Sequence, residues 1–440
     1  MTTAKLETTA LRLNATGLEI ARAFAPLALA ALVGTTLALL AWGPGRTPAL
    51  AVLLPLLWLV APSRMSAFVL TACYHLGVGR FLPEFAGVWF ESSLVGVALW
   101  LSASLVAASA WAICWPSRNT YAMVLPGALA GMVLTLAPPF GVVLAGHPLV
   151  GWGFFASGTG WFGVVLFFIT VLLWGAFFRV YLPSMSVKRP QWITAGAAAA
   201  FGVVLSVGGS IPSEAGGRVV GSIGAVQSRW GGYPQRGSME VMDRIGQIGN
   251  AVQSLAGGEG ELKTIVFAES VIGLYDPSLF PAIRREILNR TKETGQTVII
   301  GADIEVGKDS LQKVALVLRP DGTSTYVAAR QPVPVAEWAP WRTRHSFVVD
   351  WFADSTVAIG GGARARMMFC YEEYMPALHL ISEARGGHNM VISMSNLWAS
   401  KNPLTNFVQS AHTEGMALLF RRPWVRAVNL SKPETTEAGA

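Results

Sequence analysis

The residue with the clearest chemical potential is Cys370, the one cysteine outside the hydrophobic half of the chain. It stands in Met367-Met368-Phe369-Cys370-Tyr371-Glu372-Glu373, where an apolar run ends in a thiol followed by two carboxylates. A lone thiol closing a strand is usually kept for nucleophilic chemistry; a buried cysteine that only fills space is the alternative. Of the two carboxylates, Glu372 is the acid–base candidate, because adjacent positions on a helical turn point to different sides. Two further carboxylates close apolar runs, Glu269 after Ile265-Val266-Phe267-Ala268 and Glu337 in Val333-Pro334-Val335-Ala336-Glu337. Cys73 and Cys114 fall in hydrophobic stretches and read as small apolar residues, so no structural disulfide is expected. His345, His379, His388 and His412 lack metal-ligand spacing with cysteines or carboxylates, so no metal and no cofactor is read. His379 and His412 read as ordinary surface or packing residues. Gly360-Gly361-Gly362 lacks the Lys-Ser/Thr of a phosphate loop and reads as a turn.

The elements that must position these groups fall into two chemistries. Residues 1–210 carry ten Lys or Arg and four Asp or Glu; residues 211–440 carry 23 and 22. The basic excess belongs to the hydrophobic half, which argues for loops between membrane helices and against a nucleic-acid-binding face. Apolar runs at Ala23–Trp42, Ser93–Trp115, Tyr121–Leu144 and Gly160–Phe178 are long enough to cross a bilayer, with weaker ones at Thr47–Ala61, Met65–Val78 and Trp192–Val207. If all seven cross with the N-terminus inside, eight basic residues lie inside and two, Arg46 and Arg80, outside. Without Met65–Val78 the split is five to five. The positive-inside rule therefore favours seven spans and a polar half beyond the cytoplasmic membrane. Gly127-x-x-x-Gly131 carries little weight as a helix-packing signal in so Gly/Ala-rich a run, and His75 reads as a packing residue.

In the polar half, strand patterns at Arg218–Val226, Lys263–Ala268, Thr297–Ile304, Val314–Arg319, Thr323–Val327, Phe347–Phe352, Thr356–Ile359, Arg364–Phe369, Met390–Ser395 and Trp424–Asn429 alternate with helices. The helices are expected at Met239–Leu255, Pro281–Thr294, Glu373–Ala384 and Thr405–Phe420. Pro320-Asp321-Gly322 supplies a hairpin turn. The last ten residues, 431–440, read as a disordered tail.

Phe267-Ala268-Glu269-Ser270, the Val-Pro-x-x-Glu segment, Phe369-Cys370-Tyr371-Glu372 and Arg422-Pro423-Trp424-Val425-Arg426-Ala427-Val428-Asn429 together resemble the carbon–nitrogen hydrolase (nitrilase) superfamily. Within it they resemble the branch of apolipoprotein N-acyltransferase, which places such a domain after several membrane spans. The resemblance covers essentially the whole chain. It implies a membrane domain over 1–210 and a periplasmic αββα sandwich over 211–430, anchored in a bacterial inner membrane. It also implies a Glu–Lys–Cys site, with Glu269 as general base, Cys370 as nucleophile, and Glu337 and Glu372 in support. The physical reading agrees, because a thiol starting a helix gains from the N-terminal field and a nearby carboxylate can take its proton.

Two departures follow. The family lysine stands eight residues before the Val-Pro-x-x-Glu carboxylate, where this chain has Ala329, so Arg330 is the nearest cation and the site is expected to be altered. The chain also ends before the family's closing strands and eighth span, which implies a truncated sandwich with an open edge for another protein or another copy. The tryptophans Trp338, Trp341, Trp351, Trp398 and Trp424 fit an apolar pocket or a membrane-facing lid, and packing accounts for them equally well. The resemblance extends to membrane proteins of plasmid conjugation, implying membrane lipids and conjugation or envelope proteins as partners, with no direct nucleic-acid contact. Two functions are carried forward: an envelope component of conjugal transfer with an altered nitrilase-like domain, and a membrane-bound cysteine acyltransferase or amide hydrolase.

Overall fold

A computed structural model describes residues 24–184 apart from 44 and 144, and residues 216–433 apart from 218 and 257–261. The expected span Trp192–Val207 and the tail from 434 onward lie outside the described residues.

Among the described residues, three helices are long and apolar enough to cross a membrane: α1 (Phe24–Ala41), α5 (Ser93–Cys114) and the run that begins as α8 (Gly160–Gly175) and continues to Ser184. The 22 residues of α5 correspond to about 33 Å of helix, close to the hydrocarbon thickness of about 30 Å. The apolar residues Leu94, Leu101, Ile113, Phe162, Ile169 and Leu173 lie exposed along α5 and α8, as lipid-facing stripes do. Shorter elements complete this half: α2 (Leu53–Val60), α3 (Arg64–Val78), α4 (Leu82–Trp89), α6 (Tyr121–Leu134) and α7 (Pro148–Phe155).

Three expectations change here. Met65–Val78 is part of a bent pair, α3 and α4 meeting at 59°, and the break precedes Pro83, which stands in the first turn of α4, where its missing N–H leaves no helical bond unmade. The Tyr121–Leu144 run stops as a helix at Leu134, ahead of Pro138-Pro139. Thr47–Ala61 folds as a 3₁₀ turn, Pro48–Val52, followed by the buried α2. The glycines of Gly127-x-x-x-Gly131 do mark close packing: an added Cβ would come within 2.8 Å of Cys114 O at Gly127 and within 2.9 Å of the Trp58 ring at Gly131.

The polar half is a four-layer sandwich. One sheet contains β2 (Val219–Val220), β3 (Ile223–Ala225), β5 (Thr264–Val266), β6 (Thr297–Val306), β7 (Ser310–Leu318) and β8 (Ser324–Ala328) in that order, with β9 (Ser346–Phe347) beside β7. The other runs β1 (Gly216–Gly217), β13 (Trp424–Leu430), β12 (Met390–Leu397), β11 (Arg364–Phe369), β10 (Thr356–Ala358), with β4 (Gln227–Ser228) also on β13. Strands β11, β12 and β13 are parallel, and all of β12 up to Leu397 is buried, as a strand covered on both faces must be. Residues alternate across β11: Ala365, Met367 and Phe369 join the core shared with the first sheet, while Met368 packs with Met375 and Leu378 on the outer side.

Helix α9 (Met239–Ser254) and the helical stretch Phe280–Ile283, Arg284–Leu288, Asn289–Thr294 cover the first sheet. Helices α10 (Pro376–Arg385) and α11 (Pro403–Leu419) cover the second. Helix α11 also joins the two halves. Leu404, Val408, Ala411, Met416 and Leu419 share one core with α2, α7 and α8. At its crossing with α7 a Cβ on Gly153 would stand 1.8 Å from Gly415 O, so only glycine permits that approach.

Candidate active site

Cys370 follows β11 and Glu269 follows β5, both at the carboxyl ends of parallel strands, where open sheets of this kind place ligands. Both are buried. The thiol donates to Asn396 O at 3.9 Å, and the Glu269 carboxylate acts on it through its charge. The Glu269 backbone is fixed from two sides. Asn396 Nδ2 donates to Glu269 O at 3.0 Å and is itself held by Asn429, whose Nδ2 lies 2.9 Å from Asn396 Oδ1. On the opposite side Gly301 of β6 lies so close that a Cβ there would stand 2.5 Å from Glu269 Cα.

The cation of the site is Lys313, not Arg330. Lys313 Nζ lies 3.5 Å from Glu269 Oε1, 2.9 Å from Glu337 Oε1 and 3.7 Å from Asp303 Oδ1. It also donates to Ser270 Oγ at 3.2 Å and to Tyr233 OH at 3.3 Å. Arg330 points elsewhere. Its guanidinium donates to Ser382 Oγ at 2.8 Å and Leu378 O at 3.2 Å, on the α10 side of the second sheet. The expectation failed because Arg330 sits one position beyond Ala329 in an extended segment, and successive extended residues face opposite sides.

Glu337 is placed as expected, and its other oxygen accepts from Val333 N at 2.9 Å. Glu372 has a backbone task. It accepts from Arg330 N, from Gln331 N at 3.0 Å and from Phe369 N at 3.3 Å, tying the end of β11 to the segment after β8. Glu373 is equally buried and binds Arg426 Nε at 2.9 Å and Thr413 Oγ1 at 2.8 Å. Cys370 opens a single 3₁₀ turn, Cys370–Tyr374, rather than the expected helix from Glu373. The helical field on the thiol is therefore slight, and Gln409 takes that place. Gln409 Nε2 lies 3.4 Å from Cys370 Sγ and donates to Cys370 O, while Arg426 Nη2 holds Gln409 Oε1 at 2.8 Å.

Burial pushes the Glu269 carboxyl up to about 8; Lys313 opposes that shift, and Glu337 and Asp303 reinforce it. Burial would lower Lys313, but the charges of Asp303, Glu269 and Glu337 hold it well above the ordinary lysine range. Burial, and then Glu269, raise the Cys370 thiol far above its usual value. Near neutral pH the ionised fraction of Glu269 is the form able to take the proton of the neutral thiol, beside a fixed positive charge. Such an arrangement suits a thiol that loses its proton only as it attacks a carbonyl.

An apolar cavity of about 180 Å³ leads to Cys370. The hydrophobic half walls it with Phe81, Phe85, Trp89, Leu99 and Trp100, and the polar half contributes Val335, Cys370 and Gln409. The five tryptophans considered for a pocket do not line it; Trp398 packs on Trp89 behind the wall, and Trp341 is exposed. His379 and His412 are buried packing residues. Lys313, Asp303, Ser270, Gly301, Asn396 and Gln409 escaped the sequence reading. Lys313 had a detectable signal: it is in phase with Ala315 and Val317 on the core-facing side of an apolar strand, where a lone lysine needs a reason.

No family model matches the chain. A conjugal transfer protein TraB of Agrobacterium fabrum is 27% identical over 397 residues, covering 86% of this chain and 87% of that protein. A probable conjugal transfer protein TraB of Sinorhizobium fredii is 24% identical over 389 residues, 85% and 90% of the two chains. The chain is similar to TraB proteins. Solved structures that align with it include an amidase from a Nesterenkonia species (15% identity, TM-score 0.35, 48% of this chain and 78% of that one). A carbon-nitrogen hydrolase from Helicobacter pylori aligns at 13% identity and TM-score 0.36, over 49% and 75%.

Proposed function

We propose that this chain is an inner-membrane protein of conjugal plasmid transfer whose head, outside the cytoplasmic membrane, works as a cysteine acyltransferase or amide hydrolase. The TraB relatives support the conjugal role. The placement of the head rests on the sequence alone, where eight basic residues fall inside and two outside if all seven apolar runs cross; among the described residues three helices are long enough to do so. The observation that carries the chemistry is Lys313 Nζ 3.5 Å from the buried Glu269 carboxylate, whose charge acts on the Cys370 thiol. The missing lysine at 329 argued for an inert domain; an ammonium in the site removes that argument.

The reaction has two balanced steps. Cys370 sulfur attacks an ester or amide carbonyl as Glu269 takes the thiol proton. The carbonyl oxygen becomes an oxyanion near the Lys313 ammonium, and the C–O or C–N bond breaks as Glu269 returns the proton to the leaving group. An amine or water then attacks the thioester, Glu269 again carries the proton, and the thiol is regenerated. The apolar cavity favours a donor with a hydrocarbon acyl group, reached past α4 and α5. Partners in the transfer apparatus, or a second copy of the chain, would receive or position the product.

The test uses the full chain in detergent with p-nitrophenyl octanoate, followed by peptide mass spectrometry. An octanoyl thioester on Cys370 is expected, lost in Cys370→Ala. Plasmid transfer from cells making Cys370→Ala is expected to fall with it. Normal transfer by that variant would leave the head a binding module, and absence of any acyl adduct on the unaltered chain would refute the enzyme reading. Alkaline phosphatase fused after Ala440 should be active; inactivity would place the head in the cytosol.

A further inference from the structure

Across the first sheet, three positions form one row on the face that meets Glu269. Asp303 on β6 is the register partner of Lys313 on β7. The β7–β8 pairing, Val314 with Ala328, continues to Lys313 opposite Ala329, and Ala329 N donates to Lys313 O at 2.8 Å. Residues facing each other in this way have Cβ atoms about 5 Å apart and point to the same side. Ala329 and Lys313 are both buried. The small Ala329 side chain leaves the face above it to its neighbour, and Gly301, the next position along β6 on this face, gives Glu269 its room.

We infer that Lys313 is the site's oxyanion cation, carried one strand over from position 329, and that Asp303 is the positioning residue that aims it. This deepens the reading above, because it says which strand supplies the charge and what holds it there. Asp303 is anchored independently: Ser270 Oγ donates to Asp303 Oδ1 at 2.6 Å and also receives Lys313 Nζ. Ser270 follows Glu269 directly and sits at φ 49°, a left-handed conformation a serine rarely adopts, which turns its hydroxyl toward this pair. The ammonium is thus in contact with Asp303, Ser270, Glu337 and Tyr233, with Glu269 Oε1 at 3.5 Å.

The test is a swap. Lys313→Ala alone strips three carboxylates, two of them buried, of their cation, so the deciding variant is Lys313→Ala with Ala329→Lys, which conserves the charge. Acylation of Cys370 by p-nitrophenyl octanoate and its alkylation by iodoacetamide across pH are both measured, with thermal unfolding and gel filtration as folding checks. Lys313→Ala is expected to lower acylation by about 10²–10³-fold and to move the pH midpoint of alkylation upward. The swap should recover acylation to within about tenfold and return the midpoint. Asp303→Asn should lower kcat with KM unchanged and shift the midpoint, whereas loss of packing alone would leave it. A swap that fails to fold, or folds and stays as inactive as Lys313→Ala, overturns the inference; so does Lys313→Ala with unaltered acylation and midpoint. If the unaltered chain accepts no acyl group, the enzyme reading falls, and the alkylation midpoint alone still decides the relocation.

Discussion

The sandwich buries two charge clusters of opposite balance. Around Lys313 one cation faces three carboxylates, Glu269, Glu337 and Asp303. Around Glu383 one carboxylate faces three bases: Arg366 at 3.3 Å, His388 at 2.9 Å and Arg422 at 2.9 Å. The second cluster is saturated, with Glu383 Oε1 taking three donors and Oε2 two. Burial would raise the Glu383 carboxyl, yet hydrogen bonds from His388 and Arg422 and the charge of Arg366 bring it below its usual value. Glu269 goes the opposite way, up to about 8, since one ammonium shared among three acids cannot offset its burial. Neither cluster lines the cavity; it opens on Cys370 itself, the thiol on which the Glu269 charge acts. A closed cluster fixes a fold, while an under-compensated carboxylate beside a thiol and a cavity is poised to exchange a proton.

That contrast breaks most sharply at the two acids themselves. Glu269→Gln removes the proton acceptor and should reduce acylation of Cys370 by about 10³-fold, with no loss of unfolding temperature at neutral pH. Glu383→Ala should do the reverse. It strands Arg366, which is 1% exposed, and should lower stability by about 3–5 kcal/mol in denaturant titrations, while the acylation rate per folded molecule stays the same. If Glu383→Ala suppressed acylation as strongly as Glu269→Gln, the division into site and scaffold would fail.

Gly301→Ala sharpens the comparison inside the site. A methyl group 2.5 Å from Glu269 Cα must displace that backbone. Misplacing a reacting group by about 1 Å costs about 10²-fold in rate, so kinetics of the ester reaction should show that loss. Equal activity of the alanine variant would mean that the Glu269 backbone tolerates displacement.

The same two clusters show what the sequence could and could not convey. Strand β11 and the positions of Cys370 and Glu269 were legible, because apolar runs end there and period-two alternation is a local signal. Lys313 was legible only as an odd lysine in phase with the core face of its strand, and its role was hidden because the expected strand began at Val314 and the cation was sought at a fixed offset from Glu337. A residue's cross-strand neighbour depends on register, which no local pattern encodes. The Glu372 and Glu373 pair misled for a related reason. Neighbours in sequence, they serve different partners, the backbone of Arg330 and Gln331 for one and Arg426 for the other. In the membrane half, composition exposed the long helices α5 and α8. It could not separate a lipid-facing run from the equally apolar, buried Leu53–Val60, because burial inside a helix bundle and immersion in lipid select the same residues.

The gentlest separation of the clusters uses pH alone. Below about 8 the Glu269 carboxyl keeps its proton, so the form able to accept the Cys370 proton should become about tenfold scarcer per pH unit. Acylation by the uncharged ester should therefore climb from pH 6 and level off above 8; in Glu269→Gln that step should vanish. Stability is linked to the same proton with the opposite sign. A carboxyl raised above its unfolded value, about 4.3, gives the native state a proton the unfolded chain has already lost. Its contribution is full below the unfolded value and is lost as pH rises through the native one. Denaturant midpoints of the unaltered chain should then decline between pH 5 and 8 relative to those of Glu269→Gln. Glu383, held low, should add no loss in that interval. Parallel pH curves for the chain and its Glu269→Gln variant would show that Glu269 is ionised throughout, as saturated as Glu383, and the contrast between the two clusters would collapse.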